Sequence, residues 1–118
     1  MHRVNVHITE RQKVARIVME QVFEHPMSDE ELADFSKRLD PCLDLRDSTW
    51  ARSYLSKDRR RMFCEFEAPD AESVREGLRS AGMTFERVWA AQVFDAADYP
   101  ELKEKLDRVR DKLASSRE

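Results

Sequence analysis

Apolar and polar residues recur along this chain in two periods, and these periods predict its secondary structure. Residues 16–24 (RIVMEQVFE) are rich in Ile, Val and Phe, which is typical of a β-strand. Ser28 and Glu31 have the spacing of a capping box, which predicts that a helix begins after Ser28. Pro41 lacks a backbone N–H, so we expect the regular helix to end near Asp40. Apolar positions at helical spacing are Leu32, Phe35 and Leu39.

A hairpin, a second helix and a last strand are predicted next. Residues 49–56 and 61–68 are both β-prone and predict the two arms of the hairpin. Asp70 is placed to cap a helix that Gly82 would end. Residues 85–94 (FERVWAAQVF) predict the closing strand. The order strand, helix, strand, strand, helix, strand indicates an α+β fold of the ferredoxin-like βαββαβ type, the architecture also used by dimeric α/β proteins.

This pattern divides the chain into three parts. Residues 16–95 form the ferredoxin-like domain, and residues 1–15 form an N-terminal arm that is either an extra edge strand or disordered. Residues 96–118 predict an amphipathic C-terminal helix. Its apolar stripe consists of Leu102, Leu106, Val109 and Leu113. A stripe this short must pack against the chain's own sheet or against a second subunit, and we favour the second subunit.

The helices of a ferredoxin-like sheet cover one face and leave the other open. Alternation along the hairpin assigns Cys64 to the helix-covered face, where it is expected as a buried small hydrophobe. The residues expected on the open face are Glu20, Trp50, Arg52, Tyr54, Phe63, Glu65 and Trp89. The candidate ligand-binding residues among them are Glu20, Arg52, Tyr54, Phe63 and Glu65. A face that is half aromatic and half ionic predicts pairing with a second copy, either around a small-ligand site or as a ligand-free seam.

Composition and charge exclude several functions. The 118 residues carry 21 Lys and Arg against 24 Asp and Glu, so the net charge of −3 disfavours nucleic-acid binding. Glu65 also stands where an RNA-binding sheet would place a stacking ring, and the arginines at 59–61 are expected to be a solvated hairpin tip. No apolar stretch is long enough to cross a membrane, and the amino terminus has no signal-peptide core, which predicts a cytoplasmic protein.

Motifs for catalysis or for a specified metal site are missing from the sequence. There is no glycine-rich phosphate loop and no recognisable nucleophile motif, so the sequence favours a noncatalytic role and identifies no catalytic residue. Cys42 and Cys64 make no disulfide framework. His2, His7 and His25 are isolated and are expected to be surface residues.

The hairpin motif resembles a family of small bacterial ferredoxin-like proteins, catalogued mostly as a domain of unknown function, some members of which bind nickel. The motif is Ser53-Tyr54, then Asp58, then CEFEAPD at residues 64–70, and Gly82 follows. The resemblance covers about residues 16–94. It implies a homodimer with a sheet-to-sheet or edge contact, and metal sites at the dimer surface in the nickel-binding members.

The resemblance matches four chemically relevant positions, Glu20, Tyr54, Cys64 and Glu65. The second helix lacks the histidine often found in the family, reading Arg75-Glu76-Gly77-Leu78. Among the matched positions, the resemblance implies Glu20 and Glu65 as the candidate metal ligands, and carboxylate is a ligand type that nickel accepts.

Two functions follow from these observations. The first is a noncatalytic homodimer that binds a small ligand or a divalent metal such as nickel. The second is a small dimeric α/β-barrel-type enzyme acting on a modest organic substrate in a cleft on the open face. In that enzyme Glu20 or Glu65 would transfer protons, and Tyr54 and Arg52 would orient the substrate.

Overall fold

The computed structural model describes residues 14–116, which fold as a four-stranded antiparallel sheet with two helices on one face and a third helix beyond it. The strands are β1 (Ala15–Val22), β2 (Thr49–Leu55), β3 (Arg61–Ala68) and β4 (Arg87–Ala91). The helices are α1 (Asp29–Asp44), α2 (Ala71–Ser80) and α3 (Pro100–Ser116), with a 3-10 turn at Ala96–Asp98. The sheet order β2-β3-β1-β4 confirms the predicted ferredoxin-like α+β fold. The proposed extra strand near the amino terminus lies outside the described residues.

The two covering helices begin where the sequence predicts. Ser28 Oγ accepts from the Glu31 backbone N–H at 3.1 Å, and Glu31 Oε1 accepts from the Ser28 N–H at 2.9 Å. Asp70 Oδ1 caps α2 by accepting from the Ser73 N–H at 2.8 Å. Gly82 has a φ of 74°, a conformation that L side chains rarely adopt, and it follows the end of α2. Local sequence therefore sets these helix boundaries.

One helix boundary differs from the prediction. Helix α1 continues through Pro41 to Asp44. The extra turn carries Leu43, which is fully buried in the core against Gly77. Burying a leucine is worth about 1.5–3 kcal/mol, which offsets the hydrogen bond that proline cannot make.

The core lies between the sheet and the helices α1 and α2. Its fully buried large side chains are Ile17, Met19, Leu43, Phe66, Val74 and Leu78. The alternation of β3 is as predicted, with Met62, Cys64 and Phe66 buried and turned toward the helices. Neither α1 nor α2 therefore covers the opposite face of the sheet.

The hairpin tip is not simply solvated, contrary to the prediction. Arg59 Nε donates to the Met27 carbonyl at 2.6 Å and its guanidinium pairs with Asp29. Arg60 donates to the Glu24 carbonyl at 2.8 Å. These contacts tie the tip to the connection between β1 and α1, because that connection offers backbone carbonyls that no strand or helix uses.

The C-terminal helix α3 leaves the body of the domain. It contacts chiefly the 3-10 turn that precedes it, and it buries none of its residues. Leu102, Val109 and Leu113 are 51%, 45% and 60% exposed. The apolar stripe thus has the predicted position on the helix, and the chain's own sheet does not cover it.

Candidate functional site

The open face of the sheet brings together the five predicted ligand-binding side chains. In the β1–β3 register Glu20 lies opposite Phe63, and Phe63 lies opposite Tyr54 on β2. Glu65 lies opposite Arg52. Because alternate residues of a strand share a face, Phe63 and Glu65 project to the same side, and their cross-strand partners follow them.

Glu65 is held by two arginines. Arg16 Nη1 lies 2.7 Å from Glu65 Oε1, and Arg52 Nε lies 3.1 Å from the same oxygen. Arg16 also pairs with Glu67 at 3.2 Å. Arg16 was not among the residues predicted for the open face, although its spacing of four from Glu20 within one strand indicates the same face.

Glu20 has a different set of partners, both on β4. Trp89 Nε1 donates to Glu20 Oε2 at 3.0 Å, and Arg87 Nε lies 3.6 Å from Oε1. The side chains of Glu20 and Glu65 are each about 20% exposed, so both carboxylates are largely withdrawn from water. Hydrogen bonding and ion pairing offset the cost of that withdrawal.

The aromatic part of the open face stays accessible. Tyr54, Phe63 and Trp89 are 53%, 42% and 42% exposed. Val18, between β3 and β4 at the centre of this face, is only 8% exposed. The face therefore combines accessible rings with two carboxylates that are mostly covered by their arginine and indole partners.

Trp50 is not on the open face, contrary to the prediction. A register irregularity between Trp50 and Arg52 adds Ala51 as an extra residue, so Trp50 pairs with Phe66 while Arg52 pairs with Glu65. An extra residue in one strand reverses the side of every residue before it. Trp50 consequently lies on the helix-covered side, where its Nε1 donates to Ser53 Oγ at 2.8 Å.

Cys64 lies on the helix-covered face as predicted and is 4% exposed. Ser53 Oγ donates to its sulfur at 2.8 Å. Burial raises the pKa of the Cys64 thiol to about 11, against the smaller opposing effect of the Ser53 hydrogen bond. The thiol is therefore buried and protonated at neutral pH, which disfavours a role as metal ligand or nucleophile.

A metal site is not complete among the described residues of one chain. Within residues 14–116, no three His, Cys, Asp or Glu side chains are grouped so that they could hold an ion. His25 lies apart from the open face, with Nε2 at 2.9 Å from Glu31 Oε2, and His2 and His7 fall outside the described residues. Glu20, Glu65 and Glu67 are carboxylates of this face, and each already has a donor or cationic partner.

The acid-base hypothesis needs a carboxylate that is isolated among aromatic rings. Glu65 instead has two arginine partners, and Glu20 has an indole N–H and an arginine. The arrangement is that of ion-paired carboxylates, which suits recognition of a polar partner or ligand better than proton transfer.

None of the helices within residues 14–116 is long and apolar enough to span a membrane.

Comparison with known proteins agrees with the fold. The crystal structure of SCO4226 from Streptomyces coelicolor A3(2) is similar, with a TM-score of 0.63 and 14% sequence identity. The similarity covers 69% of this chain and 100% of that chain. No curated protein shows a significant match to this chain.

Residues 17–90 match the family described as "Nickel responsive protein SCO4226-like". The matched segment runs from β1 through the second covering helix to β4, so it contains the whole open face apart from Arg16 and Ala91 at its border. The match covers more than half of the 118 residues. The chain therefore belongs to the SCO4226-like family.

Proposed function

We propose that this chain is a noncatalytic homodimeric binding protein and that its ligand is a divalent metal, with nickel preferred. The family description supports nickel as the metal. The single observation that carries the proposal is the pair of largely covered carboxylates, Glu20 and Glu65, on an otherwise aromatic and arginine-rich open face. Carboxylate oxygens are acceptable nickel ligands, although they do not by themselves select nickel.

The accessible rings of the open face support pairing with a second copy. Tyr54 and Phe63, which are cross-strand neighbours, and Trp89 on β4 are all partly exposed to water in one chain. Aromatic and arginine side chains are enriched at protein interfaces, and the open face is rich in both. Two copies related by a two-fold axis would cover these side chains with identical surfaces.

The metal part of the proposal needs ligands from more than one chain. Within residues 14–116 of a single copy, no third potential ligand joins Glu20 or Glu65 in a group that could hold an ion. Two open faces brought together would supply two copies of each carboxylate. We therefore propose that metal binding and dimerisation depend on each other.

Titration calorimetry with nickel, cobalt and zinc tests the metal. We expect nickel to bind stoichiometrically to the dimer, and Glu20→Gln or Glu65→Gln to weaken binding by about tenfold or more, since each removes a charged ligand. Glu72→Gln is the matched control, because Glu72 is also paired with arginines but lies on α2 away from the open face. Equal nickel binding by all three variants, or no binding by the unmodified protein, would refute the metal part.

Sedimentation equilibrium tests the assembly. We expect Phe63→Lys to shift the protein to a monomer, because a charge would be buried in the paired face without a partner. Leu45→Lys is the control, since Leu45 is 83% exposed at the end of α1, outside the open face. A Phe63→Lys protein that dimerises as tightly as the Leu45→Lys protein would contradict pairing through this face.

A further inference from the structure

A cleft of about 610 Å³ lies on the helix-covered side of the sheet, opposite the open face. We call it the α1 cleft, because α1 forms one wall and strands β1 to β3 form the other. Its walls are mainly apolar and include Phe35, Leu39, Leu43, Met62, Phe66 and Met83. The volume falls within the roughly 300 to 1,000 Å³ that is usual for small-molecule sites.

One polar group in this wall lacks a hydrogen-bond partner. Gln21 lines the cleft and is 3% exposed. Its Nε2 donates to the Thr84 carbonyl at 2.7 Å, which sets the orientation of the amide. Its Oε1 is buried and accepts no hydrogen bond within residues 14–116. A buried acceptor without a donor is costly, so an O–H or N–H donor brought to this oxygen by a shift of the Gln21 side chain toward the cleft would be stabilised.

The other polar groups of the cleft do not call for a charged ligand. Ser53 and Cys64 satisfy each other through the 2.8 Å contact between Oγ and Sγ, and the thiol is neutral. Lys37 and Asp40 also line the cleft, are exposed, and carry opposite charges. The cleft therefore offers an apolar volume, a neutral polar wall and one free acceptor.

We propose that the α1 cleft binds a small, neutral, largely aromatic molecule whose hydroxyl group donates to Gln21 Oε1. The rings of Phe35 and Trp50, which line the cleft and are at least partly exposed, favour an aromatic body. The methionine side chains in the walls can adjust to its shape. A hydroxyl would complete the hydrogen bonding of Gln21, whereas a charged group against the apolar walls would lose its hydration, since the charged lining residues Lys37 and Asp40 are themselves exposed to water. This site is separate from the metal proposal, since it lies on the other side of the sheet.

Naphthol and its methyl ether are the probes that test this site on the full chain. They have nearly the same aromatic body, and only naphthol can donate to Gln21 Oε1. We expect naphthol to bind about tenfold more tightly than the ether, the factor that corresponds to one net hydrogen bond. Backbone and side-chain amide NMR shifts should change at Gln21, Ser53 and Cys64. Equal affinity for the two probes, or shifts confined to other parts of the chain, would overturn the proposal.

Two variants locate the interaction. Gln21→Leu removes the acceptor at similar size, and we expect it to abolish the preference for naphthol over the ether. Ala33→Trp places a large ring at an exposed position of α1 that lines the cleft. We expect it to weaken the binding of both probes. A retained preference in Gln21→Leu, or undiminished binding in Ala33→Trp, would count against the site. The probe comparison on the unmodified protein decides the question if either variant fails to fold.

Discussion

Trp89 on β4 donates its indole N–H to Glu20 on the neighbouring strand β1, with 3.0 Å between Nε1 and Oε2. The two residues are 69 positions apart in sequence, and the β1–β4 register brings them onto the open face as diagonal neighbours. This hydrogen bond links the carboxylate that we propose as a metal ligand to one of the exposed rings. Loss of this hydrogen bond is therefore expected to affect both the stability of the open face and the proposed binding of metal by Glu20.

Trp89→Phe should lower the free energy of unfolding by about 1 kcal/mol, because the ring is kept while the donor to the carboxylate is lost. Urea unfolding of Trp89→Phe, Glu20→Ala and the double variant forms a double-mutant cycle. We expect a coupling energy of about 1 kcal/mol between the two positions. Strict additivity of the two substitutions would show that the contact contributes nothing to stability in solution.

Pro41→Ala should raise the free energy of unfolding by about 1–2 kcal/mol. The substitution restores a backbone N–H within α1 and removes the contact of the proline ring with the preceding turn. The gain is less than the full helix-interior penalty, because proline also restricts the unfolded chain. Pro26→Ala is the control, since Pro26 lies outside the helices and should show no gain. Equal effects of the two substitutions would contradict this account of α1.

The stability of the domain should fall at alkaline pH because of Cys64. Burial raises the pKa of its thiol from 9.0 to about 11, so the folded state resists ionisation while the unfolded chain ionises. The resulting stabilisation is complete below pH 9.0 and is lost as the pH rises through about 11. Its size is about 2–3 kcal/mol.

The measurement is urea unfolding at several pH values in a Cys42→Ser background, with and without Cys64→Ala. The variant without the thiol should lose less stability between pH 8 and pH 11, because titration of the other groups is common to both proteins. Parallel pH curves for the two proteins would show that Cys64 is not protected from ionisation by the fold.

The apolar stripe of α3 should contribute to the proposed dimer. Val109 lies on the stripe and is 45% exposed in one chain, whereas Ser115 lies on the opposite side of the helix. We expect Val109→Glu to weaken dimerisation about tenfold or more in sedimentation equilibrium, because a buried charge would lose its hydration. Ser115→Glu adds the same charge and should change the dimer affinity less than twofold. The same dimer affinity for both variants would exclude the stripe from the interface.

The local sequence was sufficient to predict where the two covering helices begin and, for most strand residues, which face of the sheet they occupy. The Ser28–Glu31 and Asp70–Ser73 contacts join residues three positions apart, so the chain needs no distant partner to form them. The alternation of β3 depends only on its period of two, which is why Phe63 and Glu65 could be assigned to the open face. The family resemblance arose from the same hairpin, and the match over residues 17–90 confirms it.

Tertiary structure decided the features that depend on residues far apart. The extra residue Ala51 moved Trp50 to the helix-covered side, because the register of β2 depends on its pairing with β3 and not on its own pattern. Leu43 extended α1 beyond Pro41, because its burial against the second helix offsets the hydrogen bond that proline cannot make. Arg16 and Glu65 pair although they are 49 positions apart in sequence. That Gln21 Oε1 lacks a hydrogen-bond partner follows only from the residues packed around it. The period of a strand or helix predicts which side of that element a residue occupies. Packing between elements determines which other residues it contacts.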